Sequence, residues 1–303
     1  MLTACIWGFG FVAQRKGMDF LGPFTYNGVR FALGSISLIP LILYLDIKNN
    51  RKIIEPGYKR IAIYSIFAGI LLFLGASFQQ VGLQYTTAGK AGFITGLYVV
   101  FVPFIGLIFG RRVDIRVFAG AVFAVVGLYF LSISKEFQTP EGNLLFLFIT
   151  GKIEYSVLAK YINYGDILEL ICAVFFASHV VLIGWLSNKA DPLKISALQF
   201  AICALLSASY AVYTETILIQ NIIDAWIPIF YGGFFSVGVA YTLQVVAQKG
   251  TDPSKAAIIL SFEAVFAVIG GVIILDEHIG IRGLTGCGLM FLGIVLSQRV
   301  AKS

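Results

Sequence analysis

The sequence predicts an all-α membrane protein of ten transmembrane helices, arranged as two inverted repeats of five helices each. The first reason is composition: 58% of the 303 residues are hydrophobic, 13% are charged and the mean hydropathy is +0.89. Charged residues usually make up about 25% of a soluble domain, so this chain has too little polar surface to face water on all sides. The other two reasons are apolar segments of roughly 20 residues, the length that crosses a bilayer, and an internal sequence repeat.

Ten apolar segments, each bounded by Pro, Gly or charged residues, are predicted as membrane spans. The first is short, because residues 1–16 as a helix cover about 24 Å against a hydrocarbon core of about 30 Å. A tilted or thinly covered helix and an incomplete start of the chain both explain this. The segment has no positively charged start and no A-x-A site, so it is not interpreted as a signal peptide. The predicted spans are residues 2–16, 23–45, 60–83, 88–110, 115–133, 166–187, 192–213, 226–248, 253–275 and 280–297.

The distribution of basic residues predicts the orientation in the membrane. Of the 22 Lys and Arg residues, fourteen fall on the side of the N-terminus, seven fall on the opposite side, and Arg30 lies within a span. Because Lys and Arg are enriched in cytoplasmic loops, both termini are expected in the cytoplasm, with the protein in the plasma (inner) membrane. The net charge of +6 is therefore assigned to the cytoplasmic face and not to a nucleic-acid surface.

The internal repeat predicts two domains of opposite orientation. Residues 84–110 align without a gap with residues 249–275, and residues 22–31 align with residues 191–200. Each copy contains five spans, and since five is odd, the second copy must enter the membrane upside down. Inverted repeats of this kind are characteristic of transporters, whose substrate site lies between the two copies near the bilayer midplane.

The predicted boundaries are a first repeat at residues 1–134, a linker or insertion at residues 135–164 and a second repeat at residues 165–298. The linker contains one apolar run, Leu144 to Thr150, which is too short to span. The linker is interpreted as an outward-facing interfacial segment, as a short hairpin or as an insertion without function.

Charged side chains within the spans are the first candidates for a functional site. Glu263 lies in the middle of the apolar run 258–268, and the repeat places Tyr98 over it. An ionised carboxylate at a helix centre costs about 2.5–3.5 kcal/mol, so it faces the bundle interior, pairs with a cation or stays protonated. Glu263 has two interpretations. It either faces a polar cavity between the repeats or, protonated or hydrogen-bonded, only joins helices. Arg30 either pairs with Glu263 or extends to the nearby membrane surface.

Other candidates are polar or aromatic side chains on shared helix faces. The repeat aligns Gln79 with Gln244 and Arg30 with Gln199. His179 either lines the cavity or is a hydrogen-bonded core residue, and Trp7 and Tyr241 either stack on a substrate or pack. The predicted substrate-binding residues are Trp7, Asn27, Arg30, Gln79, Tyr98, His179, Gln199, Tyr241, Gln244 and Glu263.

Five stretches of the sequence are typical of a known family: Trp7-Gly8, Pro23-Phe24 to Arg30-Phe31, TTAGKAGFITGLYVVFVP, Gly165-Asp166 and LSFEAVFAVIGGVIILDEHI. With them the chain resembles the drug/metabolite transporter superfamily, in particular ten-helix permeases with two EamA domains. The resemblance covers nearly the whole chain. It departs at Ala264, where the family often has Pro, and in the linker, which is longer than usual. It implies a secondary transporter that exports small organic metabolites, amino acids or related compounds, by alternating access.

Other function classes find less support in the sequence. An enzyme is not expected, because H-E-x-x-H and G-x-S-x-G are both missing. A channel or a structural membrane subunit without carrier activity is the alternative to a carrier. No P-loop motif is present, so a proton or an exchanged solute is the expected coupling partner. No cofactor, metal or nucleic acid is expected, and Asp276-Glu277-His278 is interpreted as a helix end. Lipid surrounds the chain, which is a monomer or a homodimer.

Overall fold

The protein is mainly helical in a computed structural model. The structure describes residues 1–49, 58–110, 114–132, 138–139, 142–143, 164–275 and 280–298. A helix begins within three residues of the start of every predicted span. The helices are α1 (Leu2–Gly17), α2 (Pro23–Lys48), α3 (Tyr58–Gly82), α4 (Ala88–Gly96), α5 (Tyr98–Ile108), α6 (Ile115–Ser132), α7 (Tyr164–Leu186), α8 (Pro192–Thr214), α9 (Ile219–Asp224), α10 (Trp226–Phe230), a π-helix (Tyr231–Tyr241), α11 (Thr242–Gln248), α12 (Pro253–Leu260), α13 (Glu263–Leu275) and α14 (Ile281–Gln298).

Seven helical segments of the described chain are long and apolar enough to cross a membrane. They comprise α2, α3, α7, α8 and the composite segments Ala88–Ile108, Trp226–Gln248 and Pro253–Leu275. The first, fifth and tenth predicted spans are occupied by α1, α6 and α14, whose described apolar lengths are shorter. Large apolar side chains such as Ile47, Ile108 and Tyr213 cover the outside of the bundle, as a lipid environment requires.

The linker departs from a purely helical chain. Gln138–Thr139 and Gly142–Asn143 form a two-stranded antiparallel pair, in which Gln138 faces Asn143. The apolar run that begins at Leu144 lies outside the described residues, as does the Asp276-Glu277-His278 cluster.

Local sequence explains where several helices begin. Asp191 accepts the backbone N–H of Leu193 at 2.9 Å, and Asp252 accepts that of Ser254 at the same distance. Each Asp is followed by a Pro in the first helical turn, a position where the missing N–H costs nothing. The chain therefore carries strong start signals for α8 and α12.

Three of the crossing segments are interrupted near their middles. Leu97 separates α4 from α5, the π-helix separates α10 from α11, and Ser261 with Phe262 separates α12 from α13. The last break occurs although Ala264 stands where the family often has Pro, so proline is not what interrupts this segment. As a result, Tyr98 and Glu263 are each the first residue of a new half-helix.

Extensive contacts join helices from the two halves of the chain. The largest are between α6 and α14, α2 and α8, α3 and α7, α1 and α13, and α3 and α8. The π-helix packs against α1 and α2, while α7 packs against α4 and α5. Small residues permit the closest crossing: a Cβ added at Gly8 of α1 would lie 2.2 Å from the Cβ of Phe266 on α13. The interior between the halves is thus closely packed.

Candidate functional site

A small cavity lies inside the bundle, between residues of both halves. Its volume is about 30 Å³, space for about one water molecule. It contains eight of the ten residues proposed from the sequence; Asn27 and Gln199 lie behind its wall. The lining residues are Trp7, Phe11, Gln14, Arg30, Gln79, Tyr98, Phe176, His179, Val180, Ser236, Tyr241, Gln244, Leu260 and Glu263.

Glu263 presents a carboxylate to this cavity and is only 4% exposed. The chain break at Ser261 and Phe262 makes it the first residue of α13, where the helix dipole favours a negative charge. Tyr98, the first residue of α5, lies beside it in the same cavity. The two half-helices therefore bring a carboxylate and a phenol together, as the repeat alignment indicates.

Arg30 presents a guanidinium to the same cavity and is 2% exposed, so it does not extend to the membrane surface. Its Nε donates to Asn27 Oδ1 at 2.9 Å, and Asn27 Nδ2 donates to the carbonyl of Ala76 at 3.0 Å. The guanidinium carbon lies 4.9 Å from the centre of the Phe31 ring, within cation–π range. Asn27 thus orients Arg30 and does not itself line the cavity.

Arg30 and Glu263 do not form a salt bridge with each other, nor does either pair with another described residue. The direct pair with Glu263, one of the two alternatives considered for Arg30, is therefore not formed in this conformation. Both charges instead border one cavity. In this arrangement each is available to an oppositely charged group of a bound solute.

Aromatic side chains form one wall of the cavity. The rings of Trp7 and Tyr241 lie 4.5 Å apart, and Trp7 Nε1 donates to the carbonyl of Ser236 at 3.2 Å. His179 packs edge-on against Tyr241 at 6.3 Å. Trp7 and Tyr241 therefore pack on neighbours and also line the cavity.

His179 is hydrogen-bonded as well as cavity-lining. Its Nε2 lies 2.8 Å from Gln199 Oε1, and both side chains are almost fully buried. Gln199, which the repeat aligns with Arg30, thus holds the imidazole from behind. The two aligned positions therefore differ in function: Arg30 faces the cavity, whereas Gln199 supports a residue that does.

Amide side chains supply the remaining polar surface. Gln244 Nε2 donates to Gln248 Oε1 at 3.1 Å, and Gln248 in turn donates to the carbonyl of Val180 at 3.0 Å. The Oε1 atom of Gln244 is buried and has no hydrogen-bond partner among the described residues. Gln79 Nε2 donates to Thr95 Oγ1 at 3.4 Å. The free acceptor on Gln244 is a position at which a solute N–H could bind.

Sequence reasoning missed several polar residues of the interior, among them Gln14, Ser236 and Glu169. Gln14 and Ser236 line the cavity, and Glu169 is fully buried in α7. An isolated amide in an apolar span was the available signal for Gln14, and a second carboxylate three residues after Asp166 was the signal for Glu169. Among the described residues, no group of three or more His, Cys, Asp or Glu side chains is arranged to hold a metal ion.

A bundle of apolar, partly interrupted helices around a small charged cavity defines a multi-pass membrane protein. The sequence profile of the EamA-like transporter family matches residues 1–133 and 163–298, so the chain belongs to that family. It is thus a membrane transporter and not an enzyme. The resemblance read from the motifs is confirmed.

Similar proteins carry transporter names. An uncharacterized transporter of Archaeoglobus fulgidus is 34% identical over 97% of this chain and 83% of its own length. The uncharacterized transporter YoaV of Bacillus subtilis is 22% identical over 96% of this chain and 92% of its own. A WAT1-related protein of Arabidopsis thaliana is 25% identical, covering 90% and 80%. A protein of known crystal structure shares the fold, with a TM-score of 0.71, 17% identity and coverage of 99% and 96%.

Proposed function

We propose that the chain is a secondary carrier of small zwitterionic organic solutes, such as amino acids or related metabolites, that works by alternating access. The observation that carries this proposal is the pair of opposite charges, Arg30 and Glu263, which border one buried cavity without pairing with each other. A solute carboxylate would bind the guanidinium, and a solute ammonium group would bind Glu263. The Trp7 and Tyr241 rings would contact the apolar part of the solute.

The helix contacts support ten crossings in two inverted repeats, residues 1–134 and 165–298, joined by the linker at residues 135–164. With the spans numbered in order, exchanging the two repeats replaces span three by span eight and span six by span one. Contacts are present both between the third and sixth spans and between the eighth and first, as this exchange requires. The contacts between the second and seventh spans, and between the fifth and tenth, are unchanged by the exchange. This is the pattern expected of a pseudo-two-fold axis in the membrane plane.

The size of the cavity supports a moving carrier. A volume of about 30 Å³ is too small for an amino acid, so the cavity must widen to admit a solute, and a relative movement of the two halves would widen it. Close crossings at small residues, such as Gly8 against α13, give the two halves surfaces that pack tightly in one state and separate in another.

Orientation and direction complete the proposal. The bias of basic loops supports both termini in the cytoplasm of a plasma-membrane protein. Export is the direction indicated by the resemblance to metabolite exporters. Labelling of tags on the two termini in intact cells tests the orientation, because a label that reaches one terminus but not the other contradicts five-plus-five topology.

Solute exchange in liposomes tests the proposed activity. Purified protein is reconstituted with an unlabelled amino acid inside, and the entry of the same radiolabelled amino acid is followed for each of the twenty in turn. A carrier gives saturable entry that the internal solute accelerates. Entry that is neither saturable nor accelerated would instead identify a channel, and no entry at all would favour a structural subunit.

Charge-removing variants test the site. Loss of one charge-assisted hydrogen bond costs about 1.5–3 kcal/mol, so Glu263→Gln and Arg30→Gln should each weaken solute binding by about tenfold to hundredfold. Asp46→Asn is the matched control. Asp46 pairs with Lys194 at 2.9 Å, and neither residue lines the cavity. Wild-type exchange in both cavity variants would rule out the proposed charge recognition.

A further inference from the structure

A second carboxylate, Glu169, is buried in the same half of the chain as Glu263 but is not part of the cavity wall. Its side chain is completely buried in α7. One oxygen, Oε2, accepts the hydroxyl of Thr95 at 2.9 Å, and the other, Oε1, has no hydrogen-bond partner among the described residues. Oε1 is directed at the backbone of Gly82, where an added Cβ would lie 2.9 Å away. No described cationic side chain pairs with this carboxylate.

Two hydrogen bonds connect Glu169 to the cavity. The hydroxyl of Thr95 donates to Glu169, and the same hydroxyl oxygen accepts Gln79 Nε2 at 3.4 Å. Gln79 lines the cavity. Thr95 also lies two residues before the break at Leu97, after which Tyr98 begins the half-helix that faces Glu263. Thr95 and Gln79 therefore connect the Glu169 carboxylate to the cavity wall.

On its other side, Glu169 lies close to a partly exposed ion pair. Asp166, three residues earlier on α7, forms a salt bridge with Lys90 at 2.6 Å and accepts the hydroxyl of Thr86 at 3.2 Å. The side chains of Lys90 and Asp166 are 20% and 10% exposed. The basic-residue count assigns this end of the bundle to the outer side. Glu169 is thus situated between an outer ion pair and the cavity.

The charged and titratable groups around Glu169 leave its negative charge without compensation. Asp166 and Cys172 share its helix, Lys90 comes from α4, and Tyr98 and Glu263 come from α5 and α13. From α3 the facing residue is the neutral Gln79. Lys90 is bound to Asp166, and Arg15 of α1 donates to the carbonyl of Leu83 at 2.6 Å. With no described cation paired to it, an ionised Glu169 would be a buried and unpaired charge, which is strongly unfavourable.

A proton fits this site better than a metal cation does. Hard cations such as Ca²⁺ take about six to eight oxygen ligands, whereas this carboxylate has one side-chain hydrogen-bond partner among the described residues, Thr95, whose hydroxyl hydrogen is already donated to it. A proton needs only the free Oε1 oxygen. Binding it turns the carboxylate into a neutral acid that the interior tolerates.

We propose that Glu169 is a proton-coupling site, distinct from the solute-binding charges, that is loaded from the outer side past the Lys90–Asp166 pair. A hydronium ion gives its proton to the Glu169 carboxylate, which leaves water and a neutral carboxylic acid. Return of the proton to water restores the carboxylate. The Thr95–Gln79 chain transmits this change to the cavity. The inference rests on the proposed carrier function and names its driving ion.

Two transport modes separate coupling from solute binding. Exchange at equal pH needs the solute site only, whereas accumulation against a gradient also needs the coupling site. The assay uses the radiolabelled amino acid with the fastest exchange, and imposes a pH difference of either sign across the liposome. A difference of about one pH unit supports about tenfold accumulation at one proton per solute.

Glu169→Gln mimics the protonated acid permanently and should keep exchange near the wild-type rate while the roughly tenfold accumulation disappears. Glu169→Asp keeps a titratable group and should retain accumulation, and Asp46→Asn should behave as wild type in both modes. A pH dye trapped in the lumen should report proton movement with the wild type and not with Glu169→Gln. Gel filtration and thermal unfolding confirm that each variant is folded.

The outcomes are distinguishable. If the wild type shows no exchange, the carrier function itself fails. If the wild type exchanges, the proton-coupling role of Glu169 is overturned by accumulation in Glu169→Gln, by joint loss of both modes in a folded variant, by accumulation that follows a Na⁺ gradient at equal pH, or by absence of driven accumulation in the wild type.

Discussion

The crossing of α1 and α13 at Gly8 yields the sharpest test of the packing. A Cβ at this position would lie 2.2 Å from the Cβ of Phe266 and 2.7 Å from the backbone oxygen of Glu263. Ordinary contacts between carbon atoms are about 3.5–4.0 Å, so Gly8→Ala forces α1 away from α13 by more than about 1 Å. Neither obstructing atom can rotate aside, because one is a Cβ and the other is backbone.

The expected cost is that of overpacking, about 1–3 kcal/mol of folding free energy. Gly10→Ala on the same helix is the matched control, since its Cβ would meet Ser236 Oγ at 3.5 Å, an ordinary contact. That change should be neutral or stabilising by about 0.5–1 kcal/mol, because alanine favours a helix more than glycine does.

The assay is thermal unfolding of the two purified variants in the same detergent, followed by exchange in liposomes. Gly8→Ala should unfold at a lower temperature than the wild type and exchange more slowly, since Trp7 and Glu263 flank the crossing and line the cavity. Equal unfolding temperatures for Gly8→Ala and Gly10→Ala would refute the close crossing.

Three further changes have expected outcomes. Asn27→Ala removes the acceptor of Arg30 Nε while Arg30 itself stays in place. Because a charged hydrogen bond contributes about 1.5–3 kcal/mol, solute binding in the exchange assay should weaken by about tenfold. Unchanged binding would show that Arg30 needs no orientation by Asn27. Glu215→Ala removes the acceptor of two backbone N–H groups at the start of α2, both at 2.8 Å, and should lower the unfolding temperature by an amount equivalent to about 1–2 kcal/mol; unfolding at the wild-type temperature would argue against this cap. Trp7→Phe keeps an aromatic ring near Tyr241 but loses the indole hydrogen bond, so it should reduce exchange less than Trp7→Ala does; equal losses would assign the role of Trp7 to the hydrogen bond alone.

The helices of this protein were predictable because hydrophobic length is a local property. In the described chain, a helix begins at or within three residues of the start of each predicted span, from Leu2 to Ile281. Pro and Asp at the starts of α8 and α12 are signals that a short window contains. The family was equally predictable, since its motifs are contiguous stretches of sequence, and the profile match confirms it.

The interruptions were harder to predict, because no proline adjoins two of them. The breaks at Leu97 and before Glu263 have none beside them, whereas the π-helix at Tyr231–Tyr241 follows Pro228 by three residues. The π-helix packs closely on α2, where a Cβ added at Gly34 would lie 2.3 Å from Val237 Cγ1, and a short window of sequence does not contain such a contact. The missed carboxylate at Glu169 has a similar cause, because burial depends on neighbours that are distant in sequence.

Length and hydropathy along the chain were sufficient to determine that this is a helical membrane protein and to place its apolar segments, because burying some twenty residues in lipid depends on each segment alone. The tertiary structure decided which polar side chains meet. It placed Arg30 and Glu263 across one cavity, moved Asn27 and Gln199 behind its wall and connected Glu169 to it through Thr95. These relations depend on distances between helices far apart in the chain, and helix packing alone sets those distances.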